Sequence, residues 1–320
     1  MKTLHYNITA GIDAESIEIY EGYSQAVARC SIITPDYGSL GLSDKIEIDI
    51  GYTGESGKVF TGYIQSINAE QLPGHYVIEA SDVLIKAVEH LIVSIDLDNP
   101  FSRRNISMED LVEDLLNLAG ITNYSGDTSH FTLATGEEPA EFQLIFSMAA
   151  INQIANIIAW HCYADHNGEV FFKDIKPTPS GAPSHTFSVG TSGNLLVVNR
   201  SISTDNLRNK IIIFGAPEIR AEASVVSPYL PANFYKTAVI STELIDTQSM
   251  ADLSAAYNLD KWNKLTEILQ VETLGNYEIH ARQTVAVSET FTGASGNWFV
   301  NNVTHRFNKG GYMTNMTLVK

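Results

Sequence analysis

The chain is poor in cysteine and has no long apolar run. Only Cys30 and Cys162 occur among 320 residues, and no Cys-x-x-Cys or Cys/His cluster has zinc spacing. A disulfide framework and a structural zinc site are therefore excluded, and we expect assembly in a reducing compartment. No stretch reaches the ~18 apolar residues of a membrane-spanning helix. Residues 1–7 lack the apolar core of a signal peptide, so we expect a protein that is soluble as synthesised and does not bind membranes by itself.

Positive charge is also scarce. The sequence has 20 Lys and Arg against 37 Asp and Glu, which gives a net charge of −17. Such a surface repels phosphates, and the aromatic residues are interleaved with acids and not with Lys or Arg. These features argue against a nucleic-acid-binding or anionic-lipid-binding protein.

Periodicity divides the chain. The first ~95 residues alternate with a period of two, as in Ile46, Ile48 and Ile50, which is typical of short antiparallel strands. After residue 100 the period becomes helical, and Ser107 opens a helix predicted over 107–119 that ends at Gly120. A second helix is predicted at roughly 147–162.

The second helix leads into a turn and a linker. Asp165 to Gly168 predicts a turn into a strand at 170–172, and Pro177, Pro179 and Pro183 mark a linker. Beyond it the pattern predicts elements in the following order: strands near 195–198 and 210–214, a helix at about 249–269 carrying Met250, Leu253, Tyr257 and Leu265, and a last strand at 312–319.

An ungapped shift of 239 lays residues 46–64 on residues 285–303. Thr53-Gly54-Glu55-Ser56-Gly57 then falls on Thr292-Gly293-Ala294-Ser295-Gly296, and Phe60 falls on Phe299. Each copy is followed by a Gly turn, Leu72-Pro73-Gly74 or residues 308–311. The pattern indicates two related β domains, and chance likeness of two hairpins is the alternative.

The predicted fold class is mainly β with an α/β insertion (α+β), with two related tube-like antiparallel β-barrels flanking a helix-containing domain. The predicted domains are a first barrel at 1–95, an insertion at 96–185 that ends in the Pro-rich linker, and a second barrel at 186–320 that includes the 249–269 helix. Part of 186–215 has the alternative of completing the first barrel. Two similar barrels in one chain let three chains form a ring of six similar units.

Three segments carry a resemblance to a known family. They are Lys58-Val59-Phe60-Thr61-Gly62-Tyr63-Ile64, the helix-turn-strand pattern over 151–172, and residues 298–307 followed by Tyr312-Met313-Thr314. In these segments the chain resembles the baseplate hub proteins of phage tails and contractile injection systems, which include late control proteins and the N-terminal part of type VI secretion spikes.

The resemblance implies a structural virion protein: a homotrimeric hub of pseudo-sixfold symmetry that adapts a tail tube ring to a trimeric spike. It also implies a central channel at which the tape-measure protein ends, with DNA only in transit. Because the sequence stops at Lys320 after the second barrel, we expect a separate spike or tail-tip protein. The expected location is the virion tail baseplate, assembled in the bacterial host cytoplasm. An acidic channel lining is one reading of the charge, and acidity for solubility alone is the other.

No motif indicates catalysis, a cofactor or a metal. His161 and His166 straddle a predicted helix end and a turn, and His305 is expected to be a packing and hydrogen-bonding residue. There is no Gly-x-Ser-x-Gly elbow, Walker loop or Gly-x-Gly-x-x-Gly. We therefore expect no enzyme.

The candidate site residues are interface residues. We expect the recurring loops Thr53, Gly54, Glu55, Ser56, Gly57 and Thr292, Gly293, Ala294, Ser295, Gly296 to lie at ring or tube contacts. Two alternatives from other classes are a tail-associated hydrolase or glycan-binding protein with an interdomain cleft, and a two-barrel binding module of a cell-surface system. The lack of an export signal argues against the latter.

Overall fold

The computed structural model describes residues 3–23, 25–70, 74–94, 100–129, 131–136, 138–190, 193–263 and 266–320. The predicted turn residues Leu72 and Pro73 lie outside these ranges. The mainly β fold class is confirmed, since most elements are strands and many join one large sheet. Within the described ranges no helix has the length and apolar character needed to cross a membrane.

The first part of the chain forms six strands of the large sheet. They are β1 (Leu4–Ile8), β2 (Ser16–Gly22), β3 (Arg29–Thr34), β4 (Lys45–Tyr52), β5 (Glu55–Glu70) and β6 (His75–Asp82). Their order in the sheet is β1-β4-β5-β6-β3-β2. The predicted alternation is confirmed, because Ile46, Ile48 and Ile50 are all fully buried on one face.

The middle of the chain combines three helices with short strands. Its elements are α1 (Ile85–Glu89), β7 (Leu91–Ile92), β8 (Phe101–Arg103), β9 (Ile106–Ser107), α2 (Met108–Leu118), β10 (Tyr124–Gly126), β11 (Thr132–Leu133), β12 (Ala140–Phe142), β13 (Ile145–Phe146), α3 (Ser147–Ile158), β14 (His161–Ala164) and β15 (Val170–Lys173). The start of α2 is confirmed, since the Ser107 hydroxyl accepts a hydrogen bond from the Asp110 amide. The predicted end of α3 at residue 162 is wrong. Ala159 takes a left-handed conformation, and the chain turns into β14.

The last part of the chain contributes a second set of strands. Its elements are β16 (Thr186–Ser188), β17 (Leu195–Ser203), β18 (Lys210–Phe214), β19 (Arg220–Ser224), β20 (Thr237–Ser241), α4 (Gln248–Trp262), β21 (Thr266–Leu274), β22 (Thr284–Ser288), β23 (Gly296–Asn308) and β24 (Gly311–Val319). The predicted helix end at about 269 is wrong, because α4 stops at Trp262 and β21 alternates with Leu269 and Val271 buried. Leu265 lies outside the described residues.

The two strand sets have the same order. The second set runs β16-β22-β23-β24-β21-β17, which in chain order is the same arrangement as β1-β4-β5-β6-β3-β2. The sets join through β2 and β23, which pair antiparallel over seven residues from Ser16–Asn308 to Gly22–Asn302. Within the described residues neither set closes into a complete ring of hydrogen-bonded strands.

The shift of 239 holds for only one strand of each hairpin. Ile48 pairs with Phe60, and its counterpart Val287 pairs with Gly296. The second hairpin is three residues shorter between these partners, so the ladder equates Phe60 with Gly296. The predicted match of Phe60 with Phe299 is therefore wrong, although the repeat of the hairpin itself is present.

The described residues form three apolar cores. One fills the first strand set and a second fills the last set. The third combines α2 and α3 with Ile211 and Ile213 of β18 and Ala251 of α4. The core around the inserted helices is thus built from two chain segments, which the sequence patterns did not indicate. Strands β16 and β17 pair only with strands of the last set within the described residues.

Candidate assembly surfaces

A buried ion pair lies beside the junction of the two strand sets. Glu21 is near the end of β2, and Arg282 lies in the segment before β22. The guanidinium Nη1 donates to Glu21 Oε1 at 3.0 Å, and Nη2 donates to the Gly22 carbonyl at 2.9 Å. The same guanidinium lies 4.0 Å from the ring centre of Tyr163 in the inserted part. Arg282 therefore contacts all three parts of the protein.

The predicted turn after β14 docks at the same place. The His166 ring stacks on the His280 ring with centres 4.0 Å apart and planes 8° from parallel. Thr61 of β5 donates its hydroxyl to the His166 carbonyl at 2.8 Å. This turn is closed by the Gly168 amide, which donates to the Asp165 carbonyl. The turn thus contacts both strand sets and holds the inserted part against them.

Burial and neighbouring charges shift the pKa values of Glu21, His305 and Asp82. Burial alone raises the pKa of Glu21, but the hydrogen bond with His280 and the Arg282 charge outweigh it and hold that pKa below its usual value. Burial lowers the pKa of His305 to about 3, with a further contribution from His280. Asp82 moves the other way. Burial raises its pKa to about 7 even though two backbone amides donate to the carboxylate.

His305 has the predicted packing and hydrogen-bonding role. It is buried on β23, with Nδ1 2.8 Å from the Tyr312 hydroxyl and Nε2 2.9 Å from the Ile279 carbonyl. The carbonyl can only accept, so Nε2 carries a proton, and the lowered pKa keeps the ring neutral. The ring thus links Ile279, in the segment before β22, to Tyr312, which packs in the core of the first strand set.

His161 and His166 do not converge on a common site. His161 Nε2 lies 2.9 Å from the Lys261 ammonium, and the His161 ring packs on Tyr23. Burial and the Lys261 charge depress the pKa of His161 to about 2, so its ring is neutral and accepts from the ammonium. In the part of the chain that the structure describes, no cluster of three or more His, Cys, Asp or Glu side chains is arranged for a metal ion.

The first predicted interface loop is a tight turn. Thr53 and Gly54 connect β4 to β5, and Gly54 has a positive φ of 82° that favours glycine. Glu55, Ser56 and Gly57 belong to β5. Gly57 lies directly under the ring of Tyr277, from the segment between β21 and β22, where a Cβ would lie 2.5 Å from the ring. Part of this loop therefore contacts the chain's own second half.

The second predicted interface loop is longer and projects an aromatic side chain. Glu289 accepts hydrogen bonds from the Phe291 and Thr292 amides, and Arg200 donates to the carbonyls of Thr292 and Gly293. Ala294 is buried, while Ser295 and Gly296 are exposed beside it. At the tip, the Phe291 side chain is 97% exposed. The structure does not bring the two predicted loops into equivalent conformations.

An acidic cleft of about 830 Å³ lies between the inserted part and the segment around β20. Glu138, Glu141 and Glu243 line it. Asp246 also lines it, but its Oδ2 accepts from the Thr135 amide and hydroxyl and thus holds the adjacent turn. A hydrolase or glycan-binding protein, the alternative given above, would use this cleft.

Sequence patterns did not single out Glu21, His280 or Arg282. About 260 positions separate Glu21 from its partners, and no local spacing links them. The indicative signal is the presence of charged residues at the end of one strand and in the segment before another. Such residues are common on protein surfaces, so the signal is weak.

The repeated strand set with a helical insertion defines a mainly β fold with an internal repeat. The family model of YQBQ-like proteins matches residues 48–319, so the chain belongs to the YQBQ-like family. No curated protein sequence matches the chain significantly.

Solved structures share this fold over nearly the whole chain. A tail protein from Neisseria meningitidis MC58 has a TM-score of 0.70 at 13% identity, covering 99% of this chain and 96% of that one. The 43 kDa tail protein of prophage MuSo2 from Shewanella oneidensis has a TM-score of 0.68 at 12% identity, with 100% and 97% covered.

A third similar structure is an Escherichia coli component of the type VI secretion system, described as similar to the phage T4 tail proteins gp27 and gp5. It has a TM-score of 0.60 at 9% identity and covers 98% of this chain and 76% of that one. The resemblance to phage tail hub and type VI spike proteins is confirmed for the fold.

Proposed function

We propose that the protein is a structural component of a phage or phage-derived tail, where it forms the homotrimeric baseplate hub. The observation that carries this proposal is the repeated strand order, with the two sets joined edge to edge through β2 and β23. Each chain thus supplies two similar units, and three chains supply six around one axis. Each unit is a barrel-like domain in this assembly, and the inserted part distinguishes alternate positions of the ring.

The partners follow from the symmetry. A sixfold tail tube ring contacts one face of the hub, and a threefold spike or tail-tip protein contacts the other. The tape-measure protein ends at the central channel. DNA passes through this channel without binding to it, in keeping with the net charge of −17. The similar structures from Neisseria and Shewanella are tail proteins, which supports a structural role in the virion tail after assembly in the host cytoplasm.

The test is the absolute mass in solution by light scattering over a concentration series. A particle of three times 35.1 kDa, formed by the pure chain or on mixing with tube protein, supports the hub. A fixed monomer or dimer that never forms a ring of three overturns it. Hydrolysis or glycan binding at the acidic cleft would then be measured.

A further inference from the structure

The strands equivalent to the joined pair β2 and β23 are not joined to each other. By its place in the strand order, β17 corresponds to β2, and β5 corresponds to β23. Inside the chain β2 pairs with β23, but β17 and β5 do not pair with each other. The repeat therefore leaves one β2-like edge, on β17, and one β23-like edge, on β5, free to pair with another strand.

The first available edge is β17, which pairs with β21 on one side. No other strand pairs with it in the described part of the chain. Its nine residues contain neither Pro nor Lys, and its one charged residue, Arg200, is paired with Glu267 of the neighbouring β21. Ile202 points to the same side of the sheet as buried Leu269, yet it is 57% exposed. An apolar side chain on the core side of an uncovered edge indicates that another strand covers it.

The second available edge is the end of β5. Its pairing with β4 stops at Tyr63, and Ile64 is bonded to Ser43 and Asp44. Residues 66–70 pair with β6 alone among the described strands. The corresponding part of β23 is the part that binds β2. The free segment of β5 is thus the counterpart of an occupied strand site.

We propose that β17 of one copy pairs antiparallel with residues 66–70 of β5 in a second copy, repeating the β2–β23 contact between chains. The inference rests on the proposed ring and identifies the strands that close it. Such a contact is head-to-tail, so successive copies continue the sheet in one direction until the ring closes. It also pairs two strand edges that a single chain leaves open.

The internal junction fixes the register. Asn302 and Ser66 each follow the bulge in their strand, so they occupy equivalent positions. The two equivalent rows across the sheet are Ser66–Glu79–Ser31–Glu18 and Asn302–Thr317–Gln270–Asn199. Glu18 thus matches Asn199, and four residues later Gly22 matches Ser203. Because Gly22 pairs with Asn302, Ser203 of one copy should face Ser66 of the next, and Ile202 should face Ile67.

Disulfide cross-linking tests this register. Directly opposed residues of antiparallel strands have Cα atoms ~4.5–5.5 Å apart, within the range of a disulfide. We expect the double variant S66C/S203C to give intermolecular disulfides under mild oxidation, with a ladder that ends at three chains. Cys30 and Cys162 are buried, and burial raises the pKa of the Cys162 thiol to about 12, so they do not compete.

Matched variants show whether the cross-link reports this contact. S66C alone and S203C alone should stay uncross-linked, and S66C/S201C, displaced by two residues, should cross-link at least tenfold more slowly. Dimers from S203C alone would mean that two β17 edges pair symmetrically, which overturns the proposal. A three-chain particle without the S66C/S203C bond overturns the strand pairing and leaves the hub intact. Absence of any ring overturns both.

A charge at the edge provides an independent test in the absence of new cysteines. Ile202→Lys should abolish self-association and leave the folded monomer intact. Val239→Lys is the control, because Val239 is 58% exposed and its strand, β20, belongs to a different sheet from β17 and β5. Hydrogen exchange of the wild-type chain should show protection of residues 199–203 and 66–70 on assembly. Unchanged exchange in an assembled ring would overturn the proposal.

Discussion

Arg282 lies 3.0 Å from Glu21, and this ion pair spans 261 positions of the chain at the junction of its two strand sets. Both side chains are largely removed from solvent, at 7% and 13% exposure. The Arg282 guanidinium also covers Tyr163 of the inserted part. One side chain thus contacts three parts whose apolar cores are separate.

Removal of the Arg282 side chain should lower the free energy of unfolding. Arg282→Ala leaves the Glu21 carboxylate buried beside only His280, and we expect a loss of about 3–5 kcal/mol in the free energy of unfolding. Chemical denaturation measures it. The control is Arg306→Ala, whose partner Glu18 is exposed, with an expected loss of about 0–1 kcal/mol. Equal losses in the two variants would show that the buried pair has no special role.

Acid should weaken the fold in part through His305. Its pKa is about 3 in the folded chain against 6.5 for a free histidine, so the unfolded chain takes up this proton first. The contribution to stability is complete above pH 6.5 and is lost as the pH falls towards 3, by at most about 1.4 kcal/mol per pH unit. Asp82 acts oppositely, because its raised pKa of about 7 favours the folded state at low pH.

The effect of His305 is isolated by substitution. His305→Gln should show a shallower decline of the free energy of unfolding between pH 6.5 and 4 than the wild type, measured by denaturant titration at each pH. The Asp82 contribution is common to both proteins and cancels in the difference. Parallel curves would contradict the neutral, buried state of His305.

Gly62 should not tolerate a side chain. A Cβ at this position would lie 2.3 Å from the Ser81 carbonyl oxygen of β6 and 2.6 Å from the Phe60 ring. Gly62→Ala should therefore separate β5 from β6 and cost about 1–3 kcal/mol. Gly136→Ala is the control, since open space surrounds that position, and it should change stability by less than ~0.5 kcal/mol. Thermal denaturation distinguishes the two, and a neutral Gly62→Ala would be inconsistent with this packing.

Phe291 should matter for assembly and not for folding. Its side chain is almost fully exposed on a loop that Glu289 and Arg200 hold in place, so little ordering is needed when a partner binds. We expect Phe291→Ser to keep the stability of the monomer and weaken association by about tenfold or more. Val226→Ser, at another exposed apolar position, is the control. Unchanged association of Phe291→Ser would show that the Phe291 side chain is not an assembly contact.

Local patterns predicted the elements well where one face is buried. Alternation at Ile46, Ile48 and Ile50 located β4, and the Ser107 cap located α2. Element ends were less accurate. The chain leaves α3 at Ala159 and α4 at Trp262, because strand pairing of the following residues competes with helical propensity. The repeated hairpin was visible, but its ladder register depends on bulges and turns that a residue shift does not measure.

The sequence by itself determined the class of this protein. Its acidic charge, paucity of cysteine, period-two ends and helical middle define a mainly β chain with an inserted helical part and an internal repeat. Tertiary structure alone decided which strands join the repeats, where Glu21 meets Arg282 and which edges stay open. These features depend on contacts between residues far apart in the chain, and the local periodicity that specifies a strand is the same whatever strand lies beside it.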